Sequence, residues 1–215
     1  MSSPTDELKK ILAAINSRDE KTFAALVDLK PLMDVGYDEA TDVLAENCAK
    51  FHELYPKDLF FKFGATILRF YNDKFRGVHL GLINKVIAAY FDGSFRDAKN
   101  FSATPIKFLA AELKNLLDAL HAEFGEEKFS GNTATLNVKM VGDNSEYGRM
   151  IDSLNFVLEF VKVGSEAKTL GDKKFDSASG NWRLVKIKNV EELVPPILDI
   201  AEKYWPSSWD LGIKL

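Results

Sequence analysis

The spacing of apolar residues changes near residue 125, and this change constrains the fold more than any other feature of the sequence. Over residues 104–124, apolar side chains recur three or four residues apart, as is typical of an amphipathic helix. Over residues 134–140 they alternate with polar side chains, as is typical of a half-buried strand. The run Gly-Asn-Trp-Arg-Leu-Val-Lys-Ile at 180–187 predicts the strand that closes the sheet. The chain is therefore predicted to be helical first and β-stranded afterwards.

We predict an α+β fold in which about six helices pack on one face of a three- to four-stranded antiparallel meander. The connections between the predicted strands are mostly of turn length, and such connections join neighbouring antiparallel strands. An additional short strand is expected within residues 168–175. A C-terminal helix, starting after residue 189 or 194, and a docked tail at 205–215 complete the prediction.

Length and composition favour a single domain with two lobes. The 215 residues, 46% of them hydrophobic, suffice for one large core or for two parts that share an interface. We place a helical lobe at residues 1–125, and the antiparallel sheet with the C-terminal helix at residues 126–215.

Several residues signal where helices begin. Ser3 followed by Pro4 predicts a capped helix start, and Ser17 with Glu20 matches the spacing of a capping box. Pro195 is expected to be tolerated only in the first turn of the last helix, because proline lacks the amide hydrogen that a later turn requires.

The most aromatic part of the chain is residues 59–91. We predict two helices there, broken within residues 72–77, and apolar side chains around so much of the surface predict a central helix buried on several sides. A separate helix is predicted over residues 38–55, after the interruptions that Pro31 and Gly36 should cause.

Charge and cysteine content exclude some classes of function. The chain has 28 basic and 32 acidic side chains, a net charge of -4, and no cluster of Lys and Arg apart from acidic neighbours. A nucleic-acid partner is therefore not expected, because phosphate binding needs a basic surface. The single cysteine, Cys48, excludes an intrachain disulfide and offers no multi-thiolate metal site. It is expected to pack as a small buried side chain.

The sequence also bears on the compartment. The first residues lack the basic start and apolar run of a signal peptide, and no stretch reaches the roughly 18 apolar residues of a membrane span. The expectation is a protein without a membrane span, cytoplasmic by default. A cell-envelope location is expected instead if an anchor precedes the sequence in the native protein.

Two segments resemble known domains. Residues 12–29, with Asn-Ser-Arg-Asp at 16–19, look like the start of uncharacterised bacterial domains in which short helices precede a sheet. The strand at 180–184 is similar to the closing strand of nuclear-transport-factor-2-like domains, which are cone-shaped α+β domains. The resemblance implies a helical layer in the hollow of a curved sheet, although the helical stretch at 38–101 is longer than in that family. The family includes enzymes and non-catalytic modules, so the resemblance leaves function open.

The candidate ligand-binding residues lie in the aromatic stretch. Aromatic side chains with a few polar groups are typical of binding pockets, and core packing is the alternative explanation. Arginine is scarce in this chain, which makes the two arginines of this stretch informative. The predicted ligand-binding group is Arg69, Tyr71, Arg76 and His79.

Other residues are assigned to structure. Trp182 is predicted to anchor the sheet to a helix, and Arg183 to be an exposed cross-strand partner. The three histidines are scattered without a partner at metal-ligating spacing, so we predict no metal site, no catalytic residue and no cofactor.

These observations favour a non-catalytic binding or interaction module. Its partner would be a small apolar ligand in the aromatic helical region, or a protein bound at the sheet or the tail, and a homo-oligomer is compatible with the sequence. One alternative is a cone-type hydrolase or isomerase that uses His79 with a carboxylate in a pocket. Another is a structural protein of the cell envelope.

Overall fold

A computed structural model describes residues 2–54, 59–163 and 181–204, with side chains for all of these but 59–60 and 201–204. Over these ranges the chain forms an α+β fold with a four-stranded antiparallel sheet, which confirms the predicted fold class. The predicted docked tail at 205–215 and the additional strand expected at 168–175 lie outside the described residues.

The secondary structure follows the predicted order, with helices before strands and a last helix at the end, except that a short helix lies between the second and third strands. The α-helices are α1 Pro4–Ser17, α2 Glu20–Leu26, α3 Leu29–Glu46, α4 Cys48–Leu54, α5 Leu59–Lys62, α6 Ala65–Phe91, α7 Pro105–Asp118, α8 Glu146–Ile151 and α9 Val190–Tyr204. A short 3-10 helix spans Ser94–Asp97. The strands are β1 Leu120–Ser130, β2 Thr133–Gly142, β3 Ser153–Lys162 and β4 Trp182–Ile187.

The sheet is a meander in the order β1-β2-β3-β4, and each strand pairs antiparallel with the next. The turn between β1 and β2 contains Gly131 at a φ of +61°, a backbone conformation that glycine adopts without strain. An isolated parallel bridge joins Val27, just after α2, to Leu184 of β4. The amide of Asp28 also donates to the Leu184 carbonyl at 2.9 Å. These bonds tie the beginning of the chain to its last strand.

The main core lies between the inner face of the sheet and the first two helices. Its buried side chains are Leu8, Ile11, Leu26, Val27, Ala134, Leu136, Val138, Leu158, Phe160, Trp182 and Leu184. Trp182 lies within this core, and its indole N–H donates to the carbonyl of Ser2 at 3.1 Å. The Trp182 ring also packs against Phe129, with 5.8 Å between the ring centroids. Trp182 thus links β4 to the residues that begin α1.

Two further cores lie among the helices. One joins α3, α4, α5 and the beginning of α6 to α9, and it includes Phe51, Leu68 and Val194. The other joins the end of α6 to the 3-10 helix and α7, around Tyr90 and Ala110. The long helix α6 therefore belongs to different cores at its two ends.

The structure confirms one predicted helix cap and corrects another. The hydroxyl of Ser3 accepts from the Asp6 amide at 3.2 Å, and the Asp6 carboxylate accepts from the Ser3 amide at 3.1 Å. The capping box predicted at Ser17 is wrong, because this residue ends α1. Asp19 caps α2 instead, and its carboxylate accepts from the Thr22 amide at 3.0 Å. An aspartate two residues after the predicted serine satisfies the free amide equally well.

Pro31 and Gly36 were expected to interrupt the helical part of the chain, but both lie inside α3. Pro31 is the third residue of α3, where the amide has no partner within the helix, so its absence costs no hydrogen bond. Gly36 lies inside α3, and no heavy atom lies within 4 Å of the position that a Cβ would take.

The break predicted within residues 72–77 is also wrong, because α6 continues from Ala65 to Phe91. The side-chain amide of Asn72 donates to the hydroxyl of Thr41 at 3.2 Å, so this polar residue contacts α3 rather than ending a helix. A helical glycine such as Gly77 costs about 1 kcal/mol relative to alanine, which tertiary packing readily offsets.

β1 begins at Leu120, which lies in the range predicted to be helical, and α7 ends at Asp118. Residues 120–124 are ambiguous, because their apolar side chains at 120, 122 and 124 fit strand alternation as well as helical spacing. Pairing with β2, in which Leu120 lies opposite Gly142, decides for the strand.

α9 begins at Val190, the earlier of the two predicted starts. Asn189 precedes it, and the side-chain amide of Asn189 donates to the Asn155 carbonyl at 2.9 Å and to the Glu192 carboxylate at 3.1 Å. Pro195 therefore lies in the second turn, contrary to the expectation that only the first turn would accept it. Pro195 has no amide hydrogen to donate to the carbonyl of residue 191. Residue 191 is exposed and lies in the first turn, so water can bind this carbonyl.

Candidate functional site

The predicted ligand-binding residues lie on α6, where this helix packs on α3. The two helices run antiparallel, since Asp38 of α3 lies opposite Arg76 while Asp42 lies opposite Arg69. Tyr71 and the other predicted residues of the group follow the same helix. All four predicted residues thus lie on one helix, and their contacts show what each one does.

Arg76 is bound by carboxylates of α3. Its Nε lies 2.8 Å from Asp38 Oδ1, and its Nη2 lies 3.1 Å from Asp38 Oδ2 and 3.1 Å from Asp34 Oδ1. The bond to Asp38 raises the pKa of the guanidinium above its usual value. A hydrogen bond from Lys30, together with the charges of Lys30 and Arg76, holds the pKa of Asp34 below its usual value.

Arg69, seven residues earlier on α6, is bound in the same way. The contact surface between α3 and α6 is called the seam below. Its guanidinium lies 3.1 Å from Asp42 and 3.7 Å from Glu46. The acidic side chains are four residues apart along α3, so they form one row on that helix. This row consists of Asp34, Asp38, Asp42 and Glu46. Since both arginines already face carboxylates, neither offers an open clamp for an anionic ligand.

His79 bonds to a tyrosine rather than to a carboxylate. Its Nδ1 lies 2.7 Å from the hydroxyl oxygen of Tyr37, and that hydroxyl donates to the Asn72 carbonyl at 3.2 Å. Burial raises the pKa of Tyr37. Two rings of α6 also pack near His79, with centroid separations of 5.8 Å for Tyr71 and 6.3 Å for Phe75. The histidine therefore belongs to a helix–helix contact.

The other histidines add no second site. Within residues 2–54, 59–163 and 181–204, no carboxylate is hydrogen-bonded to His52, His79 or His121. The same ranges contain no group of three or more His, Cys, Asp and Glu placed to hold a metal ion. Cys48 is buried, and its thiol donates to the Phe61 carbonyl at 3.2 Å.

 

A small depression lies between α3 and α6. The depression in the seam between α3 and α6 has a volume of about 200 Å³. Its lining is Tyr37, Asp38, Thr41, Asp42, Arg69, Asp73 and Arg76. Pockets for small ligands usually measure about 300–1,000 Å³ and are mostly apolar. The depression is smaller than such pockets and its lining is polar, so it does not match the apolar pocket expected among these residues.

The opposite side of α6, which we call the outer face, is apolar and exposed. Its large side chains recur at helical spacing, except that Lys74 lies between Phe70 and Val78, and Phe63 lies just before the helix. Their exposed fractions are 61% for Phe63, 51% for Ile67, 63% for Phe70, 66% for Val78 and 42% for Leu82. The expectation that this helix would be buried on several sides is therefore wrong.

The packing of α6 explains why this face is open. α3 packs along the first half of the helix and α7 along the second half, and both leave the outer face uncovered. Gly77 and Gly81 also lie on α6, and no heavy atom lies within 4 Å of a Cβ built at either position. No other helix of the described residues therefore packs closely against α6 at these two glycines.

The larger depression lies on the sheet, along β1, β2 and β3. It has a volume of about 420 Å³, and its lining includes Asn137, Lys139, Asn155, Asn189 and Glu192. The side chain of Asn189 is engaged there, because its carbonyl oxygen also accepts from the Val157 amide at 2.9 Å. The polar groups of this depression therefore hold the start of α9 against β3.

Arg183 does not point to a neighbouring strand as predicted. Its guanidinium donates to the carbonyls of Ala24 and Val27, at 3.1 and 3.3 Å. These carbonyls lie at the end of α2, where a cation is favourable. The bridge between Val27 and Leu184 brings that helix end beside β4, which the sequence pattern did not indicate.

Comparisons with known proteins identified no relative of this chain. No protein-family model matches it, and searches of the curated proteins and of the solved structures found no match either. None of the described helices is both long enough and apolar enough to cross a membrane.

Proposed function

We propose that this protein is a non-catalytic interaction module that docks through the outer face of α6. The observation that supports the proposal is the row of large apolar side chains on that face, each between 42% and 66% exposed. Contiguous exposed apolar surface is uncommon on soluble proteins and marks interaction sites.

A partner surface fits this face better than a small ligand does. The exposed side chains lie along one helix that projects outward, and the depression beside the predicted residues is polar. A small apolar ligand gains affinity when a pocket encloses it, and the exposed outer face of a helix does not enclose a ligand. The outer face therefore favours a partner that is itself an extended surface.

The hydrolase or isomerase alternative receives less support from the geometry. It requires a histidine paired with a carboxylate near a solvent-connected pocket. The Nδ1 of His79 bonds to Tyr37 instead, and the arginines beside it are bound by Asp38 and Asp42.

Photo-crosslinking tests the proposed function. A photoreactive phenylalanine analogue replaces Phe70 in one variant and Phe129 in a control, and both are irradiated in cells. The two positions are matched, because Phe129 is 59% exposed but lies on β1. We expect adducts, to protein or to lipid, at position 70 and few at position 129. Equal labelling at both positions, or none at position 70, would overturn the proposal.

A further inference from the structure

We propose that the partner of the outer face is an anionic lipid surface, on which α6 lies parallel to the membrane plane. This inference rests on the proposed function, since it names the partner of the same face. Three observations carry it: the shape of the face, its charge, and its limited area.

The outer face has the shape of an interfacial helix. From Ile67 to Leu82 the row spans about 22 Å at the 1.5 Å rise per residue of an α-helix. Helices that lie in the membrane interface present such a row of large apolar side chains, flanked by basic residues. Phe70 and Val78, the most exposed side chains of this row, lie near its middle.

The charges beside the row are basic. Lys62, Lys74 and Lys85 are exposed, and none of them forms an ion pair with another described residue. Lys74 and Lys85 are 11 residues apart, or close to three helical turns, so they lie on the same side of α6. The ammonium of Lys74 lies 5.9 Å from the centroid of the Phe70 ring, within the apolar row itself.

The acidic residues nearby are held on another side of the helix. The carboxylates of Asp34, Asp38 and Asp42 face Arg69 and Arg76 across the seam with α3. A chain with a net charge of -4 thus presents an apolar and basic face on α6. Anionic lipids attract each nearby lysine with about 1 kcal/mol, so the charge pattern complements such a surface.

The area of the face argues against a second copy of this chain. Five side chains that are about half exposed offer at most roughly 500 Å², because large aromatic side chains bury about 150–250 Å² each and three of the five are smaller aliphatic side chains. A stable protein interface usually buries about 800 Å² per partner. A two-fold contact centred on Lys74 would also place the two ammonium groups opposite each other, which is unfavourable. A lipid surface has neither requirement.

Co-sedimentation with vesicles tests the inference. The full chain is mixed with vesicles of phosphatidylcholine alone, or with about 30% phosphatidylserine. We expect binding to the anionic vesicles that weakens as salt rises from about 0.1 M to about 0.5 M. Binding to the neutral vesicles should be much weaker.

Two variants separate the apolar and the electrostatic contributions. Replacing Ile67, Phe70 and Val78 together by Ser should weaken binding to anionic vesicles at least about tenfold, because the apolar row inserts. Replacing Lys74 and Lys85 by Glu should remove the preference for anionic vesicles. Phe129→Ser, a matched exposed substitution on β1, should bind like the wild type. Circular dichroism of each variant verifies that it is folded.

The outcomes separate this inference from the proposed function. No binding of the folded wild type to anionic vesicles, or equal binding by the triple variant, would overturn the lipid proposal. If position 70 still crosslinked to a protein, the docking face would stand with a protein partner. A dimer that forms in solution and is lost in the triple variant, without vesicle binding, would identify a second copy as the occupant.

Discussion

The hydroxyl oxygen of Tyr37 on α3 lies 2.7 Å from Nδ1 of His79 on α6. The same hydroxyl lies 3.2 Å from the Asn72 carbonyl, so Tyr37 contacts two residues of α6. The pair lies beside the ion pairs of Arg76 and is part of the same seam. A histidine that looked like a candidate base is thus held as a partner of a tyrosine.

Removing this hydroxyl should weaken the seam. Tyr37→Phe is expected to lower the free energy of unfolding by about 1 kcal/mol, the usual net contribution of a hydrogen bond. Urea denaturation of Tyr37→Phe, His79→Asn and the double variant measures the coupling between the two residues. We expect a coupling energy of at least about 0.5 kcal/mol. Strict additivity would contradict a direct bond.

The stability of the seam should fall in acid through Asp34. Its folded-state pKa lies below the usual value of 3.8, so ionised Asp34 stabilises the fold above that value. That stability is lost as the pH falls through the folded-state pKa. Comparing the acid unfolding of wild type and Asp34→Asn should show a steeper decline in the wild type. Parallel curves would show that Asp34 does not contribute.

Glu112 should have the opposite pH dependence. Burial raises its pKa, although the hydroxyl of Tyr147 donates to its carboxylate at 3.0 Å. The folded state therefore holds the proton more tightly, and stability falls as the pH rises from the unfolded value towards the folded one. Glu112→Gln keeps an acceptor for Tyr147 and should be more stable than the wild type at neutral pH. Denaturation at several pH values tests this, and a less stable variant at neutral pH would contradict it.

Gly142 is expected to tolerate no side chain. A Cβ at this position would lie 1.9 Å from the carbonyl oxygen of Gly148, which is backbone and cannot move aside without disturbing α8. Gly142→Ala should therefore cost at least about 2 kcal/mol in the free energy of unfolding. Gly36→Ala is the matched control. It has free space within α3 and should stabilise the protein by about 0.5–1 kcal/mol. A similar effect of both substitutions on stability would contradict the close contact.

Much of the fold could be predicted, because local signals agree with the final structure in many elements. The alternation in residues 134–140 and the capped start at Ser3 are examples that the structure confirms. Predictions failed where two patterns fitted the same residues. Residues 120–124 suit a helix or a strand, and pairing with β2 selects the strand. Pro31 and Pro195 failed for a related reason, since the consequence of a proline depends on which turn of the helix it occupies.

The candidate site was predicted only in part. The sequence grouped Arg69, Tyr71, Arg76 and His79 as polar residues of the aromatic stretch, with a helix break predicted among them, and the structure places all four on α6. It could not show that carboxylates of α3 would bind both arginines, since Arg76 and Asp38 are 38 residues apart. The outer face was missed because α6 carries apolar side chains around much of its surface, a pattern that indicates burial when neighbours are unknown.

The sequence by itself determined the helical and stranded parts of this protein, because periodicity and capping are local properties of the chain. Only the tertiary structure decided which side of α6 is buried. α3 and α7 together cover part of the helix, and the side that carries Phe70 and Val78 stays exposed. Long-range packing makes this choice, since burial depends on which other segments meet the helix in space.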